Sequence, residues 1–514
     1  MPSDQHAPPA PHAHETHTGP PELASAPRTA LRSDEPPGRG PHEDLSGQLL
    51  NAISRARWFA GKGRRAELTG HTRLGWLTEL DRWPAVRLEV VEISYRPDED
   101  PELELDEAAE TPYELYQLAV SYRPAPAPEL AHAELGRTVD PDLGRVVAYD
   151  AAQDPDACRL LLEELVAGRR VREPESEVRF RPSGIEGLSA QVEPQPFRGQ
   201  QSNTSIMFGE VAMLKLFRRL ELGTNLDIET HDALNRAGVE GVAKLYGWID
   251  ASWRHRGADV HADLAMLVEK LTGAEDGWGL ALDALRDGRP FIDDAARLGR
   301  ALAEIHTALR GSFPTARGSG AATATVMADR FAVARAIAPA LNAYAGGVLA
   351  TLDALAAVEL DLQRVHGDFH LGQTLRTPSG WKIIDFEGEP AKTLAERLAP
   401  DSVWRDIAGM LRSFDYAGAS VPGPGAASWV ADCRSAFLDA YAGGELDAAD
   451  AAVLRAYEVD KAVYEVVYEV RNRPDWVHIP LGAVAALSGH VPGQQPGSGT
   501  EPGTDQSHPT GVKE

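Results

Sequence analysis

The 514-residue sequence predicts an α+β protein of two lobes, strand-rich to about residue 270 and mostly helical beyond. Two patterns carry this expectation. Apolar, β-prone runs separated by turn residues recur between Ala85 and Leu271, as in a sheet-building half. After residue 275 the apolar residues take helical spacing instead. Leu298, Leu302, Ile305 and Leu309 stand 4, 3 and 4 apart, which marks one buried stripe.

Residues 1–44 are rich in Pro, His, Ser, Ala and charge with few large apolar side chains. They are expected to stay disordered, because they bury too little surface to offset the ordering entropy. Residues 491–514, rich in Pro, Gly, Gln and Ser, read the same way. Folded structure is expected from Leu45, with Leu49 and Ile53 on the same helix face and Trp58 and Phe59 as core anchors of a small N-terminal cap over 45–135. Arg57–Arg64 is basic and glycine-containing but lacks the spacing of a phosphate loop. Strands are expected over 85–94 and 113–122, joined by a solvated acidic loop at 98–110. A helix should span 155–168, where Leu161, Leu162, Leu165 and Val166 are apolar.

The charge balance of 51 basic and 77 acidic residues, net −26, argues against nucleic acid or an anionic membrane as a general partner. Only Cys158 and Cys433 occur, giving neither a disulfide framework nor metal-ligand spacing. No apolar run reaches the roughly 20 residues of a membrane span, and no secretory signal pattern opens the sequence. A cytoplasmic monomer is expected.

The chemistry concentrates in His366-Gly367-Asp368-Phe369-His370-Leu371-Gly372-Gln373 and, after a turn at 377–380 and a short strand, Asp385-Phe386-Glu387-Gly388. An acid followed five residues later by an amide, then by an acid after a strand, matches the base and two metal ligands of phosphoryl-transfer enzymes. Asp368 is the candidate base; Gln373 and Asp385 are the candidate Mg²⁺ ligands. Upstream, Lys215 sits in the apolar run Val211–Phe217, and a lysine there needs an anionic partner such as phosphate. Asp227 and Glu229 are the acids that could orient it. Ser202, Asn203 and Thr204 form a polar turn able to approach phosphates. Val268 and Glu269 end a buried strand suited to a hinge whose backbone reads adenine. Residues 136–270 thus form a nucleotide-binding lobe and 271–490 a helical catalytic lobe.

These segments resemble the actinobacterial maltokinases, within the aminoglycoside phosphotransferase-like kinases. The resemblance rests on His366-Gly367-Asp368, His370–Gln373 and Asp385-Phe386-Glu387-Gly388-Glu389-Pro390, with further similarity over 404–416 and 454–482. It implies a bilobal protein-kinase-like fold and transfer of phosphate from ATP to maltose, giving maltose 1-phosphate for α-glucan synthesis. It favours Glu229 as partner of Lys215 and implies a trehalose synthase as a possible partner protein. It also implies sugar contacts from His366, Glu387, Arg405, Lys461, Tyr468 and Trp476. The alternatives are a kinase for another sugar or an aminoglycoside, a metal-dependent hydrolase and a catalytically dead scaffold.

Overall fold

The computed structural model describes residues 45–95, 113–185, 187–197, 203–390 and 392–489. Both tails, the acidic loop at 98–110 and Ser202 lie outside the described residues.

The first layer is the cap. Helix α1 (Leu45–Arg55) buries Leu45, Leu49 and Ile53, one side chain per turn on a single face. It lies on an antiparallel sheet of β1 (Ala66–Trp76), β2 (Ala85–Tyr95), β3 (Tyr113–Arg123), β4 (Glu134–Asp140) and β5 (Gly144–Asp150), in the order β1-β2-β3-β5-β4. Strand β2 is buried along its whole length because both faces are covered, one by α1 and Phe59 and the other by the second sheet of the same lobe. A limit at residue 135 would fall inside β4. Pairing of β4 with β5, and of β5 with β3, keeps the chain in this sheet to Asp150. Helix α2 (Pro155–Ala167) follows, opened by the Asp154 side chain and closed by Gly168 in the left-handed region, where glycine carries no Cβ penalty.

The second sheet contains β6 (Arg170–Glu173), β7 (Ser176–Pro182), β8 (Pro194–Pro196), β9 (Thr204–Phe208), β10 (Ala212–Leu216), β12 (Leu245–His255) and β13 (Ala258–Glu269), in the order β6-β7-β12-β13-β10-β9-β8. The two-residue strand β11 (Arg219–Leu220) leaves this sheet and pairs with β3 of the cap. Helix α3 (Leu226–Arg236) comes next. Leu74, Val86 and Leu88 of the cap pack in one core with Val178, Ile206, Leu214 and Leu267, so the two sheets share their interior.

The second half is helical: α4 (Gly277–Arg286), α5 (Ile292–Ser312), α6 (Gly320–Ile337), α7 (Ala345–Ala356), α8 (Leu394–Leu398), α9 (Trp404–Ser420), α10 (Ala426–Ala442), α11 (Ala448–Asn472) and α12 (His478–Leu487). Its few strands are short: β14 (Glu275–Asp276), β15 (Ala316–Ser319), β16 (Glu359–Leu362) and the hairpin of β17 (Thr374–Thr377) and β18 (Gly380–Ile383). The predicted α5 stripe lies at the centre of the lobe's core. Helix α9 sets the position of the 366–373 segment. A Cβ at Gly409 would stand 2.4 Å from the Phe369 carbonyl oxygen, so only glycine lets α9 approach that loop. Among the described residues no helix is long and apolar enough to cross a membrane.

Candidate active site

Lys215 is placed by strand alternation. In β10, Ala212, Leu214 and Leu216 are buried and Lys215 takes the opposite face, toward the second lobe. Its Nζ donates to Asp227 Oδ2 at 3.1 Å and to Glu387 Oε1 at 2.5 Å, with Asp385 Oδ1 at 3.9 Å. Asp227, not Glu229, therefore partners the lysine. Asn225 caps α3 by accepting from the N–H groups of Asp227 and Ile228, and that phase turns Asp227 inward. Residues two apart do not share a helix face, so Glu229 pairs instead with Arg364 at 3.0 Å.

Asp227 also crosses between the lobes. Its Oδ1 accepts from the Phe386 N–H at 3.1 Å and lies 3.1 Å from His231 Nδ1. Burial alone would raise its pKa, but the Lys215 and His231 charges hold it well below the carboxylate range. Burial would likewise lower Lys215, yet Asp227, Glu387 and Asp385 push it up. Glu387 moves the other way from Asp227, raised by burial against the pull of Lys215. Of the two acids on this lysine, Asp227 holds the charge and Glu387 gains a proton more readily.

The loop at 366–373 is fixed from beneath by Asp406, a fully buried residue of α9. Its two oxygens accept from the N–H groups of His366 and Gly367, both at 2.8 Å. His306 Nε2 lies 2.8 Å away, and its Nδ1 meets the Tyr441 hydroxyl at 2.9 Å. Burial would raise Asp406, but the His306 bond and the surrounding donors hold it below its ordinary value. Nothing in the local sequence marks Asp406, and only its approach to His306 across 100 residues of chain reveals the pair. His366 is itself buried, with Nε2 3.0 Å from the Ile384 carbonyl oxygen and Nδ1 accepting from Asp368 N–H at 3.3 Å. It ties the catalytic loop to the strand before Asp385 and does not face the pocket.

The β17–β18 hairpin returns the chain to Asp385, which has φ +68°. A non-glycine residue there is strained, and such positions cluster at functional sites. Gln373 Nε2 donates to Asp385 Oδ2 at 2.9 Å. Carboxylate oxygens of Asp227, Asp385 and Glu387 lie within 4.8 Å of one another, a hard-oxygen set suited to a divalent cation such as Mg²⁺.

Beside Asp368 opens a cavity of about 260 Å³. Lys461 Nζ, from α11, donates to Asp368 Oδ1 at 3.2 Å. Burial would lower Lys461, but the Asp368 and Glu389 carboxylates raise it. Arg405 donates to the Gly367 carbonyl at 3.0 Å and pairs with Glu389. Arg330 of α6 reaches in and pairs with Asp460 at 2.7 Å. Arg330, Lys392 and Asp460 were missed: nothing in the α6 or α11 apolar patterns marks Arg330 or Asp460, and Lys392 lies in the turn before α8.

Of the expected sugar residues, Arg405 and Lys461 line this cavity, and Glu387 stands on Lys215 instead. The aromatics on the wall are Phe369 and Tyr464, not Tyr468, which lies one turn beyond Tyr464 along α11 and is 45% exposed. Tyr468 and Trp476 flank Arg473, whose guanidinium lies 5.5 and 5.0 Å from their ring centres.

Two nucleotide-site expectations also change. Thr204 is in register with Leu216, while Ser205 faces Lys215, so Thr204 is on the other side of the sheet. There its Oγ1 accepts from Arg218 Nε at 2.7 Å, and Asn203 Oδ1 accepts from Arg218 N–H at 3.4 Å. Arg218 is itself buried and pairs with Asp150 at 2.6 Å. Val268 and Glu269 do end the strand leading to the second lobe. The Glu269 and Lys270 N–H groups are nevertheless committed to the Lys244 and Val211 carbonyls at 2.8 and 3.0 Å, so a base would find those two donors spent.

This arrangement is that of a phosphotransferase, and comparison with known proteins agrees. Residues 53–154 match the maltokinase N-terminal cap domain, and residues 265–457 match the phosphotransferase enzyme family. A glucosamine kinase of Streptacidiphilus jiangxiensis is 34% identical over 314 residues, 54% of this chain and 70% of that protein. The chain belongs to the aminoglycoside phosphotransferase-like kinases, among those that carry the cap. A glucosamine kinase of Mycolicibacterium smegmatis is 28% identical over 324 residues, covering 57% of this chain and 79% of that protein. A solved glucosamine kinase in complex with glucosamine, ADP and inorganic phosphate shares the fold, with TM-score 0.59, 22% identity, and coverage of 85% of this chain and 98% of that one.

Proposed function

We propose that the protein transfers the γ-phosphoryl group of ATP to the anomeric hydroxyl of a small neutral sugar, with maltose as the acceptor. The observation that carries this reading is the cavity beside Asp368. It is lined by four acidic and four basic side chains together with Tyr464, which suits hydroxyl groups better than a net charge. Its volume of about 260 Å³ is small beside the roughly 300–1,000 Å³ of common ligand pockets. One sugar ring would occupy it, and a second would extend over the exposed Tyr468.

Asp368 accepts the proton of the attacking hydroxyl as the oxygen–phosphorus bond forms and ADP leaves. Lys461 holds the Asp368 carboxylate in place, and Arg405 steadies the loop through the Gly367 carbonyl. Lys215 exchanges Glu387 for the α- and β-phosphates while Asp227 orients it. Mg²⁺, held by Asp385 and Glu387 with Gln373 alongside, would neutralise phosphate charge. Most of the acceleration comes from positioning and preorganised charge. The product would supply α-glucan synthesis, with a trehalose synthase as a partner protein.

Glucosamine is the second reading, favoured by the names of the two relatives. ADP release with Mg-ATP and maltose, glucose, glucosamine, an aminoglycoside or no acceptor separates them. Turnover with maltose supports the proposal. Preference for glucosamine keeps the mechanism and replaces the acceptor, and ADP release that needs no acceptor makes the protein a hydrolase.

A further inference from the structure

Arg397 of α8 neither lines the cavity beside Asp368 nor touches Lys215, yet it joins the two segments on which the nucleotide side depends. Its Nη1 donates to the backbone carbonyl of Glu387 at 2.7 Å, and Glu387 is the residue whose carboxylate holds Lys215. Its Nη2 donates to both carboxylate oxygens of Glu221. Glu221 directly follows β11, the strand that pairs with the cap, and opens the segment leading to Asn225 and Asp227. The Arg397 side chain is 9% exposed and that of Glu221 50%. The fit is close on the loop side. Gly388 has φ +74°, and a Cβ there would meet Arg397 Cδ at 3.3 Å, so the glycine admits the arginine stem. The Thr393–Glu396 capping box fixes the start of α8, so the guanidinium is presented from a defined turn.

We infer that Arg397 is a positioning residue for the nucleotide. It acts through the Glu387 carbonyl to hold the Asp385–Gly388 loop against the first lobe, and through Glu221 it ties that loop to the cap sheet. A forked guanidinium meets a carbonyl and a carboxylate at once, which a lysine ammonium cannot reproduce in the same geometry. When Lys215 moves from Glu387 to phosphate, the Glu387 backbone stays pinned and only its side chain must turn. This inference rests on the kinase reading of Lys215 and Asp385 but not on the identity of the sugar.

The test is calorimetric titration of the full chain with Mg-ADP, which requires no acceptor. Arg397→Ala should raise the dissociation constant about tenfold or more, as expected for loss of a charge-assisted hydrogen bond. Arg397→Lys should recover part of the loss, and Glu221→Gln, at a half-exposed site, should weaken binding only a few-fold. Combining Glu221→Gln with Arg397→Ala should add little, because Glu221 acts on the loop only through Arg397. In steady state the KM for ATP should rise while the KM for the sugar stays within about twofold, a split that general loss of packing would not give. An unchanged Mg-ADP dissociation constant in folded Arg397→Ala and Glu221→Gln proteins would overturn the inference. If Mg-ADP binds normally to the wild type but no sugar is phosphorylated, the acceptor assignment has failed and this inference has not.

Discussion

The two sides of the cleft solve opposite electrostatic problems. Around Lys215 three carboxylates, Asp227, Asp385 and Glu387, face a single ammonium, whereas the cavity beside Asp368 balances four acids with four bases. The first side has an excess of negative charge that a bound cation would complete, and its acids come from both lobes, already within 4.8 Å of one another. The second is already neutralised within one lobe, where the acids and bases hold each other as a preformed frame. An acceptor entering it would meet fixed donors and acceptors of both charges. The contrast suggests where substitutions will cost binding of the nucleotide and where they will cost recognition of the sugar.

The largest effect should come from Asp368→Asn, which removes the proton acceptor and leaves the Lys215 side intact. Its kcat should fall by about 10²–10⁴-fold with Mg-ATP affinity nearly unchanged; a large loss of affinity would mean that the two sides are not separable. Next in size is Asp406→Asn, which places an N–H donor against the His366 or Gly367 N–H. Breaking this buried arrangement should cost about 3–5 kcal/mol, measured by denaturant unfolding. The pH dependence gives a sign as well. Because the folded pKa of Asp406 is depressed, its stabilisation is full above the unfolded value of about 4 and is lost as pH falls through the lower folded value. The wild-type protein should therefore lose stability on that acid limb, and Asp406→Asn should show a shallower slope there.

Tyr468→Ala sharpens the comparison on the sugar side. It should raise the KM for maltose several-fold and leave glucose or glucosamine turnover unaltered, because only a second ring reaches it. Equal effects on one-ring and two-ring acceptors would remove Tyr468 from the site. The smallest change is expected for Glu229→Gln. Its partner Arg364 lies outside the Lys215 cluster, and with Glu229 37% exposed the ion pair should be worth less than about 1 kcal/mol. A large rise in the KM for ATP in this variant would restore Glu229 as the partner of Lys215.

Much of the catalytic side was legible because its residues are close in sequence. Asp368, Gln373 and Asp385 fall within one loop–hairpin unit whose spacing reports its geometry, and Lys215 declares itself as a charge in an apolar strand. The α+β division and the Leu298–Leu309 stripe followed from periodicity. The choice between Asp227 and Glu229 did not, since both acids sit in the first turn of α3 and the cap by Asn225 sets which one turns inward. Thr204 was misplaced because a one-residue step in strand register reverses the face. Arg330, Asp406 and Asp460 have no local signal at all: helices that are distant in sequence bring them together, and only packing reveals their partners.

The central claim is transfer from ATP to the anomeric oxygen of maltose through Asp368. Its most direct test is ³¹P NMR of the products formed from Mg-ATP and maltose by wild type and Asp368→Asn. The account predicts a sugar phosphate resonance coupled to the anomeric proton, appearing with ADP in the wild type and nearly absent in the variant. Inorganic phosphate and ADP as the only new signals, or equal sugar phosphate from both proteins, would contradict it.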